Sequence, residues 1–315
     1  MTGPGTITIP AGSAVMLSAL TPAELDAADR RYPKWATLCQ LRRLGLPVLD
    51  AVLITPGRGR QALDTGIGAL AAATRQDRLL VRSDGGAETR RYYKGGNTFP
   101  LAEAASKAAG LLEAGRAVLL MEPTNRFTNR LTAMLRMDRD PHSRTGSFTI
   151  EALGPGYDVA DLTRGGIPPQ VTVTAEIDWS TYPDLWWSDL HLTADTTPDG
   201  EHRRRYLRLS RIAADILTDT GHLDMRPMTA REQADAAEAW LTKRGYQQLW
   251  EDHDDLTTVV AHRARRWFED AFLIAACHPH REWTCLVTAT SDLGDRVIFW
   301  DIVDGSRKYA PGRPV

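Results

Sequence analysis

Leu44-Gly45-Leu46-Pro47 separates two runs of opposite character, and that separation restricts the fold more than any other stretch of the chain. Upstream, Leu38, Leu41 and Leu44 recur at helical spacing after Lys34; downstream, residues 48–54 are almost continuously apolar. Gly45 supplies the left-handed residue that ends a helix, and Pro47 prevents its continuation. A helix that stops and at once becomes a buried strand needs a sheet for the strand and a layer for the helix. The first third therefore predicts an α/β layer rather than an all-β or bundle fold. Residues 101–114 repeat the pattern: an Ala-rich helix opened by Pro100, ended by Gly115 and followed by a strand at 117–121.

Beyond this point the periodicity changes. Apolar runs at 131–137, 147–152 and 171–177, set among loops rich in Gly, Pro and Asp, predict three strands of a mixed sheet without covering helices. Leu209, Ile212, Ala213 and Ile216 define one face of a helix ending at Gly221, and Arg203-Arg204-Arg205 reads as its exposed start. Thr229 and Glu232 have capping-box spacing and open a helix that ends at Gly245. A further helix is predicted over 255–276, then a β-hairpin with strands at 284–290 and 296–303. Lobe boundaries are expected near Glu122-Pro123 and in the loop 193–200. The division is then 1–122 as an N-terminal lobe and 123–315 as a second lobe with a helical insertion and a terminal hairpin.

With 315 residues, 43% hydrophobic and 25% charged, the chain can bury a sizeable core. Its 38 basic and 40 acidic residues, net charge -2, give no global electrostatic reason to expect nucleic acid or an anionic membrane as partner. Cys39, Cys277 and Cys285 are too few and too scattered for a disulfide framework, and no secretory signal or membrane-length apolar run is present. Cytoplasmic residence with a small-molecule substrate is the expectation; oligomeric state has no signal.

The candidate chemistry is cationic. Lys34 opens the first helix, and Arg82 ends the apolar run Leu79-Leu80-Val81 ahead of a glycine-containing loop. Cations at the ends of regular elements, with backbone amides nearby, suit phosphate. Lys34 alone also reads as a solvated helix-start lysine, and the anionic partner of Arg82 can equally be a carboxylate. Lys94-Gly95-Gly96 either closes over a ligand or is a tight turn. Met121-Glu122 ends a buried strand, where Glu122 either faces a ligand or solvent. His278-Pro279-His280 reads as a polar turn, and Trp179, Tyr182, Trp186 and Trp187 as core or interface aromatics. The P-loop and nucleophile-elbow motifs are absent from the sequence.

Taken in order, Lys34, Leu44-Gly45-Leu46-Pro47-Val48, Ile54-Thr55, Val81-Arg82-Ser83, Gly95-Gly96 and the Gly165–Gln170 segment resemble the N-terminal nucleotide-binding domain of pyruvate phosphate dikinase and phosphoenolpyruvate synthase. That domain has the ATP-grasp fold. The resemblance implies an α+β protein whose two α+β lobes clamp a nucleotide. Lys34 and Arg82 would hold ATP phosphates as the catalytic cations, and Lys94, Gly95 and Gly96 would close over them. Met121 and Glu122 would border the adenine. Glu282 and Asp301 would hold Mg2+, with Glu176, Asp178 and Asp224 as rival ligands. Asp84 departs from the family, which carries a small residue there, and Asp158 stands near the family's acidic position.

The phosphohistidine signature of the dikinases, and room for their pyruvate-binding barrel, are absent from this sequence. The implied activity is that of a stand-alone enzyme using Mg-ATP for carboxylate-amine ligation through an acyl phosphate. Direct phosphorylation of a small molecule and non-catalytic nucleotide binding are the alternatives.

Overall fold

The structure, a computed structural model, describes residues 8–57, 60–85, 97–123, 129–139, 145–163, 167–178, 190–220, 229–243, 256–277, 282–290 and 296–304. It is an α+β chain with a five-stranded and a six-stranded sheet, and every strand pair with an assigned register is antiparallel. The chain divides into two compact units, Met1–Asn125 with Ile298–Asp301, and Arg126–Val297 with Ile302–Val315. Among the described residues, no helix is long and apolar enough to cross a membrane.

The first unit contains, in order, β1 (Ala14–Met16), α1 (Pro22–Asp26), α2 (Pro33–Arg43), β2 (Ala51–Ile54), α3 (Gln61–Thr74), β3 (Arg78–Asp84), β4 (Asn97–Pro100), α4 (Leu101–Glu113) and β5 (Ala117–Met121). Its sheet order is β1-β2-β5-β3-β4. Helix α2 stops as its sequence predicts. Gly45 lies at φ 76°, its N–H donates to the Arg42 carbonyl at 2.9 Å, and the Leu46 N–H donates to the Leu41 carbonyl at 3.0 Å. This is the double bond pattern of a left-handed helix terminator. The strand after it is shorter than the apolar run, beginning at Ala51. Helix α3 escapes the sequence reading because Gly66, Gly68 and a run of alanines blur its periodicity.

Strand alternation sorts the sheet into two faces. Val52 and Ile54 of β2, Leu79 and Val81 of β3, and Val118 and Leu120 of β5 form one core with Leu63 and Leu70 of α3 and Ala104 and Ala108 of α4. Leu80, Arg82 and Asp84 of β3 and Leu119 and Met121 of β5 therefore belong to the opposite face. Arg82 is directly across from Leu119, and Leu80 across from Met121.

The second unit is built on β6 (Asn129–Arg139), β7 (Thr145–Leu153), α5 (Val159–Thr163), β8 (Val171–Asp178), β9 (His191–Ala194), α6 (Pro198–Thr220), α7 (Ala230–Lys243), α8 (Leu256–Cys277), β10 (Glu282–Thr290) and the ends of β11 (Val297–Asp304), whose residues Ile298–Asp301 are assigned to the first unit. The sheet order is β11-β10-β6-β7-β8-β9. Two expectations are corrected here. The assigned pairs of this sheet are antiparallel rather than mixed, and α8 packs on β6, β7 and β8, with Phe148 and Phe268 edge to face at 5.3 Å. The alternation Val171, Val173, Ala175, Ile177 is the imprint of that one-sided cover.

A third correction concerns the arginine triplet. Helix α6 begins at Pro198, well before Arg203, and Arg204 is 2% exposed. Its guanidinium donates to the Asp195 carboxylate at 2.7 Å and to the Asp195 carbonyl at 2.6 Å. One turn on, Arg208 is fully buried, donating to the Gly156 carbonyl at 2.8 Å and lying 3.1 Å from the Asp161 carboxylate. The Thr229–Glu232 box caps α7 as predicted, with reciprocal bonds of 2.7 and 3.3 Å.

Candidate functional site

Three of the sequence-predicted site residues meet on the face of the first sheet opposite α3 and α4. The Arg82 guanidinium lies 3.8 Å from the Asp301 carboxylate, and its Nη1 is 3.9 Å from Met121 Sδ. The side chains are 16% and 9% exposed for Arg82 and Asp301, so both charges are largely withdrawn from water. Asp301 reaches this position on β11, whose residues Ile298–Asp301 belong to the first unit; the Phe299 N–H donates to the Pro47 carbonyl at 2.8 Å. Pro47, placed by the helix terminator, thus helps fix the segment that carries Asp301.

Lys34 joins from α2. Its ammonium donates to the Ser83 carbonyl at 2.8 Å, one residue from Arg82 along β3. Its backbone N–H and that of Trp35 donate to the Asp84 carboxylate at 3.2 and 2.8 Å, and the Gly85 N–H donates to the same carboxylate at 2.8 Å. Asp84 is 2% exposed. Burial pushes its carboxyl above the usual carboxylate range, opposed by these three amides and by the charge of Lys34. Asp84 escaped the sequence reading as a structural partner of Lys34. The available signal was the departure from a small residue at the end of β3, opposite a helix that starts with Pro33 and has no cap of its own.

Glu122 follows β5 and is half-buried; its backbone N–H donates to the Asp50 carbonyl at 2.9 Å. Lys94, Gly95 and Gly96 lie outside the described residues, as do Asp224, His278, His280, Trp179, Tyr182, Trp186 and Trp187. The backbone of Glu282 opens β10 in register with Asp138 of β6. Of the rival ligands, Glu176 is exposed and Asp178 half-buried on β8. Asp158 is built into the Arg208 network: its N–H donates to the Asp161 carboxylate at 2.8 Å and its own carboxylate lies 3.4 Å from Arg208.

The donor chemistry fits a polyphosphate better than a self-sufficient metal site. Among the described residues, no group of three or more His, Cys, Asp and Glu side chains could hold a metal ion. Asp301 is one hard oxygen donor, and magnesium commonly takes one or two carboxylates together with phosphate oxygens. A guanidinium with five N–H donors, an ammonium bonded to the next residue of the strand, and a carboxylate 3.8 Å from the guanidinium can jointly receive such a group with its metal ion.

No protein-family model matches the sequence, and no curated protein matches it. Solved structures with similar folds include a D-cycloserine synthetase, 12% identical over 89% of this chain and 64% of its own, with a TM-score of 0.37. An N5-carboxyaminoimidazole synthetase from Staphylococcus aureus is 8% identical over 88% of this chain and 48% of its own, with a TM-score of 0.37. An ATP-grasp ligase, PsnB, complexed with a minimal precursor is 9% identical over 91% of this chain and 62% of its own, with a TM-score of 0.30. The chain thus spans between 48% and 64% of the length of these three structures.

Proposed function

We propose that the chain is an ATP-grasp enzyme that binds Mg-ATP through Arg82 and Lys34 and uses it to join a carboxylate to an amine. The observation that supports this most is the state of Arg82: a largely buried guanidinium with no oxygen partner nearer than 3.8 Å among the described residues. A guanidinium that serves only as a structural partner holds its carboxylate at about 2.7–2.9 Å, usually in bidentate fashion. At 3.8 Å most of the donors of Arg82 are left for another anion, and its planar fork matches two phosphate oxygens.

In this reading Arg82 and Lys34 neutralise phosphate oxygens, while Met121 and Glu122, at the end of β5, border the base. A glycine loop at Lys94, Gly95 and Gly96 would complete the phosphate site. Phosphoryl transfer asks little covalent work of a protein; positioning and charge neutralisation supply most of the rate. A substrate carboxylate oxygen attacks the γ-phosphorus, the bond to the β-phosphate oxygen breaks, and ADP leaves. An amine then attacks the acyl carbon, inorganic phosphate departs with the bonding pair, and the amide nitrogen loses a proton. Asp301 would help hold a magnesium ion, which would supply further charge neutralisation of the phosphates.

The test is product analysis of the unaltered protein with Mg-ATP across paired panels of carboxylates and amines, with hydroxylamine added to trap an acyl phosphate. Equal release of ADP and phosphate, with a hydroxamate formed, supports ligation. ADP with a stable phosphorylated product supports a phosphotransferase instead. Tight ATP binding with no ADP from any pair removes the enzyme reading and leaves a nucleotide-binding protein.

A further inference from the structure

Strand β3 ends in three consecutive residues with three different partners. Arg82 lies against Asp301 and Met121, the Ser83 carbonyl accepts the Lys34 ammonium, and Asp84 accepts the first amides of α2. Helix α2 has no side-chain cap from its own N-cap residue, Tyr32, and Pro33 at its first position has no N–H. The first amides it can offer are those of Lys34 and Trp35, and Asp84 takes both. The cap of this helix therefore comes from a strand distant in sequence, and the capped residue is the lysine itself.

The two carboxylates near the cations are unequal. Asp84 is 2% exposed and fixed by three backbone donors at 2.8 to 3.2 Å. Asp301 faces Arg82 at 3.8 Å, outside hydrogen-bonding distance. Asp84 is thus locked into the scaffold, and Arg82 is not tied to Asp301 by a hydrogen bond. Lysine carries a flexible four-carbon stem and loses rotamer freedom when it is held in one geometry. Here the backbone of Lys34 is pinned by Asp84 and its tip by the Ser83 carbonyl, so that freedom is already removed.

We infer that Asp84 is a positioning residue of the nucleotide site: acting through Lys34, it holds the lysine ammonium at the end of β3 beside Arg82, so that both cations meet one polyphosphate. This rests on the nucleotide reading above. It also accounts for an acidic residue beside a phosphate site, where a free carboxylate would repel the ligand: its charge is spent on the amides of α2 and faces the scaffold.

The test is a double-mutant cycle on the full chain. Unaltered protein, Asp84→Ser, Lys34→Met and the double variant are titrated with Mg-ADP and Mg-ATP by calorimetry, with urea unfolding to verify that each is folded. Asp84→Asn, which keeps the size and one acceptor oxygen, replaces the serine variant if that one is unfolded. Asp84→Ser is expected to weaken nucleotide binding about tenfold, and Lys34→Met by a similar factor. The double variant is expected to bind no more weakly than Lys34→Met alone, because Asp84 has nothing left to position. A folded Asp84 variant with unchanged affinity overturns the inference, as does a double variant weakened by the product of the two factors. Failure of the unaltered protein to bind either nucleotide removes the nucleotide reading and this inference with it; equal binding by the unaltered and Asp84→Ser proteins removes the inference alone.

Discussion

Replacing Arg82 by Met separates a ligand-binding arginine from a structural one, because the two roles predict opposite outcomes. Methionine keeps most of the volume of the stem against Met121 while removing the charge and all five donors. Where a buried ion pair is a hydrogen-bonded part of the scaffold, deleting one partner costs about 3–5 kcal/mol of stability. At 3.8 Å the Arg82–Asp301 pair has no hydrogen bond to lose, but both side chains are largely buried and Asp301 would keep its charge, so the stability loss should fall below that range, at about 1–2 kcal/mol. A charge-assisted contact to phosphate is worth about 1.5–3 kcal/mol, or roughly 10- to 150-fold in affinity. Urea unfolding and calorimetric titration with Mg-ATP, done on the same preparations, read both numbers. The expected pattern is a modest loss of stability and a large loss of affinity. A loss of several kcal/mol in stability with undiminished ATP affinity would refute the reasoning, since Arg82 would then serve Asp301 rather than a ligand.

Three further predictions concern the scaffold around the site. Asp29 is buried and accepts bonds from the side chain of Arg31 and the N–H of Ile9, which hold its carboxyl down at about 2 against an ordinary 3.8. Its contribution is present above pH 3.8 and lost as pH falls toward 2. Asp29→Asn should cost about 1–2 kcal/mol near neutrality, allowing for the exposed Arg31, and flatten the acid limb of the stability curve; an unchanged acid limb contradicts this. Phe148→Ala should cost about 3–5 kcal/mol by urea unfolding, because Phe148 is fully buried edge-on to Phe268; a cost under about 1 kcal/mol contradicts the packing described. Asp161→Asn should cost about 3–5 kcal/mol by leaving the buried Arg208 poorly balanced, with little effect expected from the exposed Arg43–Asp26 pair when Asp26 becomes Asn. Equal effects at the two pairs contradict this ranking.

What could be read from the sequence was local. The Gly45 and Thr229 signals act within a few residues, through backbone conformation and capping geometry, and both appear in the structure as the sequence predicts. The covered faces of β6, β7 and β8 were harder, because alternation reports that one face is buried and not what buries it. The arginine triplet was misread for a related reason: three like charges resemble a solvated face unless Asp195 and the loop at 156–161 are known to fold back onto α6. In the site, Arg82 and Lys34 were legible as cations at element ends. Their partners were not, since Asp84 meets Lys34 only through the packing of α2 on β3, and Asp301 comes from a strand near the other end of the chain. Long-range pairing of this kind leaves no periodic trace, and the only hint of it was Asp84 standing where a small residue was expected.

The central claim is that the cations at the end of β3 hold nucleotide phosphates. A crystal structure with a non-hydrolysable ATP analogue and magnesium tests it most directly. The expected result is phosphate oxygens within about 3 Å of the Arg82 guanidinium and the Lys34 ammonium, with Asp84 unmoved on the α2 amides. Arg82 still paired with Asp301 while the analogue binds elsewhere would contradict it.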